Sequence, residues 1–277
     1  MTHNERRGRP EQEWTIALFT GSIYGATHTL TGHPLDTIKS KMQVQPGYTS
    51  ISAWQVASMV WKTEGIRGFF RGCIPPLWGS MAYRGVMMSA YELAYTSCEQ
   101  SSHPWLREEI VIGIRPMVPL SSIFAATVRA FIESPIEYAK VMGQTNQHWK
   151  LAHIYRGFGA QVARTTTLLV PIFVTIDLAR RKTHLMTTLT GNFVVTAAAS
   201  GAAYVVCWPL ETLKNLAQSG TPHAGATVAQ RMQFMGGATG LMRGVGPGAL
   251  AGALRNGIGM VAMVQAHKWA TRLGLRD

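Results

Sequence analysis

Charge is scarce in this chain. Asp, Glu, Lys and Arg make up 14% of its residues, against about 25% in an ordinary soluble domain. None of the four occurs between Trp14 and Leu35, and none between Thr183 and Leu210. Each run exceeds the roughly 20 residues that cross a bilayer. Each is rich in Gly, Ala, Ser and Thr, which let helices approach closely in lipid. A buried helix of a large soluble protein is the other reading of such runs. Cysteine is scarcer still: Cys73, Cys98 and Cys207 are odd in number, far apart and outside any C-x-x-C or Cys/His cluster. That excludes a disulfide framework and a zinc site and leaves small buried side chains. No paired catalytic carboxylates, Ser/His/Asp arrangement or Gly-rich phosphate loop occurs at usable spacing, so an enzyme is not expected. Gly248–Ala253 is a packing face rather than a nucleotide loop. The N-terminal run to Glu13 resembles neither a secretory signal nor a transit peptide.

What charge there is leans one way, 26 Lys and Arg against 14 Asp and Glu, for a net +12. The basic residues sit near helix ends and loops rather than in one run. Nucleic acid is therefore not an expected partner; anionic phospholipid and an anionic small molecule are.

A repeat organises the rest. Pro34-Leu35-Asp36-Thr37-Ile38-Lys39, Pro135-Ile136-Glu137-Tyr138-Ala139-Lys140 and Pro209-Leu210-Glu211-Thr212-Leu213-Lys214 share one pattern at the ends of apolar segments. Each is followed by an Arg-Gly step, at Arg71-Gly72, Arg156-Gly157 and Arg243-Gly244, that opens another apolar segment. The pattern predicts helices over about 12–43, 73–99, 107–143, 158–183, 186–219 and 245–272. A short surface helix fits Ala53–Thr63, with room for another between the fifth and sixth helices. In the second repeat Arg156 follows Pro135 too soon for such a helix. Acid and base three positions apart share a helical face, and proline kinks its helix.

Three Pro-x-acid-x-x-base motifs, each followed by an Arg-Gly element, resemble the mitochondrial carrier family over nearly the whole chain. The His33–Lys39 stretch looks most like its carnitine and amino-acid branch. The resemblance implies an all-α membrane protein of six transmembrane helices in three pseudo-threefold repeats, about 12–99, 107–183 and 186–272, forming one carrier domain over 1–277. It implies a multi-pass inner-membrane location and exchange of metabolites by alternating access. It implies no cofactor, and leaves room for bound cardiolipin.

The resemblance also assigns residues. Pro34, Pro135 and Pro209 would kink three helices together, so that Asp36, Glu137 and Glu211 each pair with a lysine of a neighbouring helix, Lys39, Lys140 or Lys214. That ring is a matrix gate or a plain staple; unpaired charges in lipid are costly either way. A second, cytoplasmic ring is degraded. Glu92, Asp177, Arg180 and Lys268 allow the pairs Glu92–Arg180 and Asp177–Lys268, or are ordinary charges near headgroups. Substrate contacts fall, by count from Arg-Gly, at Gly79, Arg164 with Thr165, and Ala251, with Arg84 and Arg255 as further candidates. Arg164 would clamp a carboxylate or phosphate or form a structural ion pair. Arg129 and Glu133 are expected to pair across one turn, and His28 and Tyr204 to pack. The even-helix prolines that the family usually carries are replaced by Ala82, Thr167 and Leu254. Gly21 and Gly25 would support close packing. Two readings stand: an active carrier for a small anionic or zwitterionic metabolite, and a carrier-derived structural subunit of a large inner-membrane complex such as a respiratory assembly.

Overall fold

The computed structural model describes residues 10–44, 53–145, 154–155, 157–218, 226–242 and 245–273. Its helices are α1 (Pro10–Val44), α2 (Ala53–Phe69), α3 (Ile74–Gln100), α4 (Met117–Thr145), α5 (Phe158–Lys182), α6 (Leu189–Gln218), α7 (Val228–Phe234), α8 (Ala238–Leu241) and α9 (Val245–Arg272). Six of them are long. Each long helix packs on the next in the order α1, α3, α4, α5, α6, α9, and α9 returns to α1, closing a ring.

Local chemistry sets the ends. Prolines stand in the first turn of α3, where no backbone donor is lost. Gly157 at φ 79° caps α5, whose last turn carries Arg180, Arg181 and Lys182 against the negative end of the helix dipole. Thr227 and Gln230 form a capping box on α7. Pro34, Pro135 and Pro209 lie inside α1, α4 and α6. We call that end of the bundle the proline end.

α4 begins at Met117, about ten residues later than the apolar run from 107 predicts. Residues 104–116 instead form two 3-10 turns and a loop. Gly113 at φ 80° and Ile112 at φ 63° break the helical backbone, and Pro116 disfavours helix for Arg115 before it.

Large apolar side chains cover much of the outside, and polar side chains are buried beside the apolar core. Phe19, Leu120, Phe124, Val206, Leu250 and Ile258 are exposed, while Thr20, Ser80, Arg84, Arg129, Glu133, Gln161, Arg164 and Asn256 are buried. A continuous apolar exterior fits a hydrocarbon solvent. By hydropathy and length alone, Phe158–Lys182 and Leu189–Lys214 qualify as spans.

Small residues close the ring. A Cβ on Gly21 or Gly25 would strike the Arg84 or Ser80 carbonyl of α3, so α1 and α3 meet backbone to backbone. The Ser80 hydroxyl donates to the Gly25 carbonyl at 2.9 Å. On α9, Gly248, Gly252 and Gly257 accommodate Trp208, Tyr204 and Phe193 of α6.

The short helices are tied to the motifs themselves. The Thr37 hydroxyl donates to the Phe69 carbonyl at the end of α2, 2.8 Å. Its counterpart Thr212 donates to the Leu241 carbonyl at the end of α8, 2.9 Å. The second motif has Tyr138 at that place, and between α4 and α5 only turn residues 154, 155 and 157 are described.

Candidate substrate cavity and its two closures

The long helices enclose a cavity lined on its polar side by Tyr24, Arg84, Arg129, Thr196, Tyr204 and Asn256, and otherwise by methionine, leucine, isoleucine and phenylalanine. Its volume is about 30 Å³, room for water but not for a metabolite. The Tyr24 hydroxyl donates to Asn256 Oδ1 at 2.6 Å and so ties α1 to α9 at the cavity wall.

Arg84 projects from the middle of α3 into this cavity. Its guanidinium lies over the Tyr24 ring, 4.9 Å from the centroid, and it is 5% exposed. Among the described residues no carboxylate pairs with it, and its Nε has no hydrogen-bond partner. The other interior arginines are neutralised. Arg129 forms a two-pronged pair with Glu133, Nε to Oε2 at 2.9 Å and Nη2 to Oε1 at 2.8 Å, and Gln161 of α5 donates to the same carboxylate at 2.8 Å. This triad satisfies the expected Arg129–Glu133 pairing and extends it across to α5.

Two acids of the proline end have described side chains, and each holds an arginine. Glu211 of α6 accepts from Arg164 Nε of α5. Asp36 of α1 accepts from Arg255 Nη2 of α9 at 2.8 Å, and the same nitrogen donates to the Gly32 carbonyl at 3.1 Å. The two acids thus hold arginines that the lysine ring did not include. A guanidinium one or two turns along the adjacent even helix supplies a fork that fits a carboxylate better than an ammonium does. Lys214 is buried, while the side chains of Lys39, Glu137 and Lys140, together with Arg156, Arg243 and Gly244, lie outside the described residues. By motif count, the place on α3 equivalent to Arg164 is Gly79. It packs on Ile136 of α4 and has no side chain to pair.

Of the proposed contacts, Arg84 lines the cavity. Arg164 and Thr165 are buried on α5, Ala251 is half-buried on α9, and none of them is in the lining. The threefold count locates the family's contact level, but Tyr24 and Asn256 come from the odd–even seam that the count does not register. Nothing in the sequence marked Tyr24 or Asn256, whereas Arg84 stood out as a lone arginine in an apolar run.

The opposite end closes differently. Tyr91 of α3 stacks on Phe173 of α5, centroids 4.2 Å apart at 10°, and Tyr95 stacks on Tyr91 at 5.8 Å. Asp177 does not pair with Lys268. It accepts from Arg115 at 2.6 Å and from Arg181 at 2.7 Å, and Arg181 also reaches Glu109 and the Gly113 carbonyl at 2.7 Å. Arg181 is one turn from Asp177, and Arg115 leads into α4 beside it, so both stand nearer than α9. Hydrogen bonding to Asp177 raises Arg115 above its ordinary value against the opposing effect of burial, which is the larger single influence. Glu92 is buried and Lys268 exposed. α5 also has an interior proline, Pro171, one turn beyond Thr167.

Comparison with known proteins agrees with this architecture. The family model described as "Mitochondrial carrier protein" matches residues 10–101, the span of α1 to α3. The mitochondrial arginine transporter BAC2 of Arabidopsis thaliana is 24% identical over 75% of this chain and 74% of its own length. Human solute carrier family 25 member 47 is 31% identical over 45% of this chain and 39% of its own. Carrier protein YMC2 of Saccharomyces cerevisiae is 26% identical over 52% of this chain and 46% of its own. In its three proline motifs, its closed ring of six long helices and its likeness to these relatives, the chain is similar to mitochondrial carriers, and the family model accounts for its first third.

Proposed function

We propose that this protein carries a small organic anion across the mitochondrial inner membrane, seating it at Arg84 and opening the two ends of the bundle in turn. Like the family, the chain is a multi-pass protein of that membrane. One observation carries the choice of an anion: Arg84 is a buried cavity-lining guanidinium without a carboxylate partner among the described residues. A buried charge of this kind is costly unless something pairs with it, and a bound carboxylate or phosphate does so with two parallel hydrogen bonds.

The relatives differ in cargo. One is named an arginine transporter, another a mitochondrial 2-oxodicarboxylate carrier. A cationic cargo would need a carboxylate to receive it, and here Glu133 and Glu211 are each already held by an arginine. The arrangement supports the acidic cargo, as an anion or through the carboxylate of a zwitterion. Met87, Met88, Leu168, Leu169, Ile172 and Met260 in the lining favour an apolar body on that anion.

Uptake of labelled carboxylates and phosphates into liposomes tests this directly. Wild-type protein is expected to exchange at least one of them, and Arg84→Gln to lose that exchange while keeping its melting temperature. Full exchange by Arg84→Gln overturns the assignment. A structural role within a larger inner-membrane assembly is favoured by one observation, the contracted cavity. Stable migration of the gently extracted protein in a particle many times its 30.3 kDa would support that role.

A further inference from the structure

We propose that His28 couples the anion to a proton, so that the two cross the membrane together. This rests on the anion reading above. His28 stands on α1 one turn from Tyr24, its ring 6.3 Å from the Tyr24 ring and tilted by 42°. It is one turn short of Gly32, whose carbonyl holds Arg255. It therefore lies between the cavity and an ion pair of the proline end. The ring is half-buried, and Nε2 is shielded from solvent with no hydrogen-bond partner.

The groups that face it explain what that nitrogen can do. From α3 comes Arg84, from α9 Arg255, from α4 Arg129 and from α5 Arg164; these are its strongest charged neighbours. Tyr24 is the neighbour on its own helix, and Tyr204 of α6 lines the same cavity. α2 meets α1 further along, at Thr37, and the turn after α2 does so at His33. Guanidinium groups donate hydrogen bonds and accept none, so a neutral ring offering its Nε2 lone pair matches these surroundings. Glu133, Glu211 and Asp36 hold Arg129, Arg164 and Arg255, so the like charge that an added proton meets uncompensated is that of Arg84. An anion seated on Arg84 cancels that charge and makes the proton acceptable. By linkage the proton then favours the anion to the same degree. The proton enters on the Nε2 lone pair from one compartment and leaves to the other with the anion. One proton moves with each anion, no bond other than N–H forms or breaks, and the net charge carried is one unit less negative than the anion's own.

The test uses full-length protein in phosphatidylcholine–cardiolipin liposomes with 2-oxoglutarate as probe. Acidifying the outside by about one pH unit is expected to raise accumulation by up to about tenfold, the ratio one proton per anion supplies. An entrapped pH dye should report acid entering with the anion. In His28→Gln the ratio of uptake with and without the gradient should fall to one. Gradient-independent uptake by wild type, or an unchanged ratio in His28→Gln, overturns the coupling and leaves the anion reading standing. No wild-type uptake in either condition overturns both. A ligand-free measurement guards against a variant that fails to fold. Histidine NMR titrations of wild type and Arg84→Gln should show the His28 midpoint higher in the variant by at least about half a pH unit. Equal midpoints overturn the proposal whatever the liposomes show.

Discussion

The two ends of the bundle close by different chemistry. At the proline end, Arg164 grips Glu211 and Arg255 grips Asp36, with the Arg129–Glu133–Gln161 triad just behind. At the opposite end Tyr91 lies flat on Phe173, and the charges cluster off to one side around Asp177. Parting two stacked rings leaves nothing uncompensated. Parting Arg164 from Glu211 takes an ion pair away from two charges in a poorly solvated interior. On the proposed carrier function, the proline end opens at tolerable cost only when something else takes up a charge, and would be the end that senses cargo. The aromatic end needs no such exchange and can open on an empty cavity.

Breaking the triad tests this asymmetry most severely. Glu133→Ala leaves Arg129 buried with its carboxylate gone and removes the acceptor of Gln161. We expect a loss of about 3–5 kcal/mol, read as a large drop in melting temperature in detergent. A drop no larger than that from an aromatic-end substitution would mean that the triad contributes nothing special. Arg164→Ala comes next. Sequence position alone suggests that this change would stop transport and spare the fold, but the ion pair to Glu211 adds a cost. Glu211 is 19% exposed at its side chain, so partial solvation reduces the loss to about 2–3 kcal/mol. Exchanging the pair, with Arg164→Glu and Glu211→Arg together, should recover at least half of that. A double variant no better than the single ones would show that the two residues act separately.

At the aromatic end, Phe173→Leu keeps an apolar contact and removes the stack. The expected loss is about 1 kcal/mol, with no new salt dependence of the melting temperature. A loss matching that of Arg164→Ala would erase the difference between the two closures.

Much of this was legible beforehand, for physical reasons that also mark where legibility stopped. The limits of α9 and the start of α5 follow from apolar runs bounded by basic and glycine residues. α4 was drawn too long because Ile110, Val111, Ile112 and Ile114 continue the apolar run, while Gly113 and Pro116 carried the opposite signal. The acids Asp36 and Glu211 were found through their repeat, but their partners were not. A motif fixes positions along one helix, whereas Arg164 and Arg255 reach those acids only through the seams α5–α6 and α9–α1. Arg84 had no readable facing until the ring closed around it. Thr37 and Thr212 were in plain sight, and Tyr138 between them marks the repeat whose surface helix the short spacing argued against.

The smallest effect offers the most direct view of which end opens. Cys73 caps α3 at the proline end and is buried. Burial pushes its thiol above the ordinary value, so the reactive thiolate is scarce at neutral pH and increases as pH rises towards that higher value. In a Cys98→Ser, Cys207→Ser background, maleimide labelling should therefore be slow at neutral pH and rise about tenfold per pH unit without an early plateau. If ion pairs hold this end shut, Arg164→Ala should speed labelling at fixed pH by increasing access, while Phe173→Leu, acting at the far end, should not. Equal acceleration by both variants would mean that the ends are not independently closed. Acceleration by Phe173→Leu alone would reverse the assignment of which closure guards the proline end.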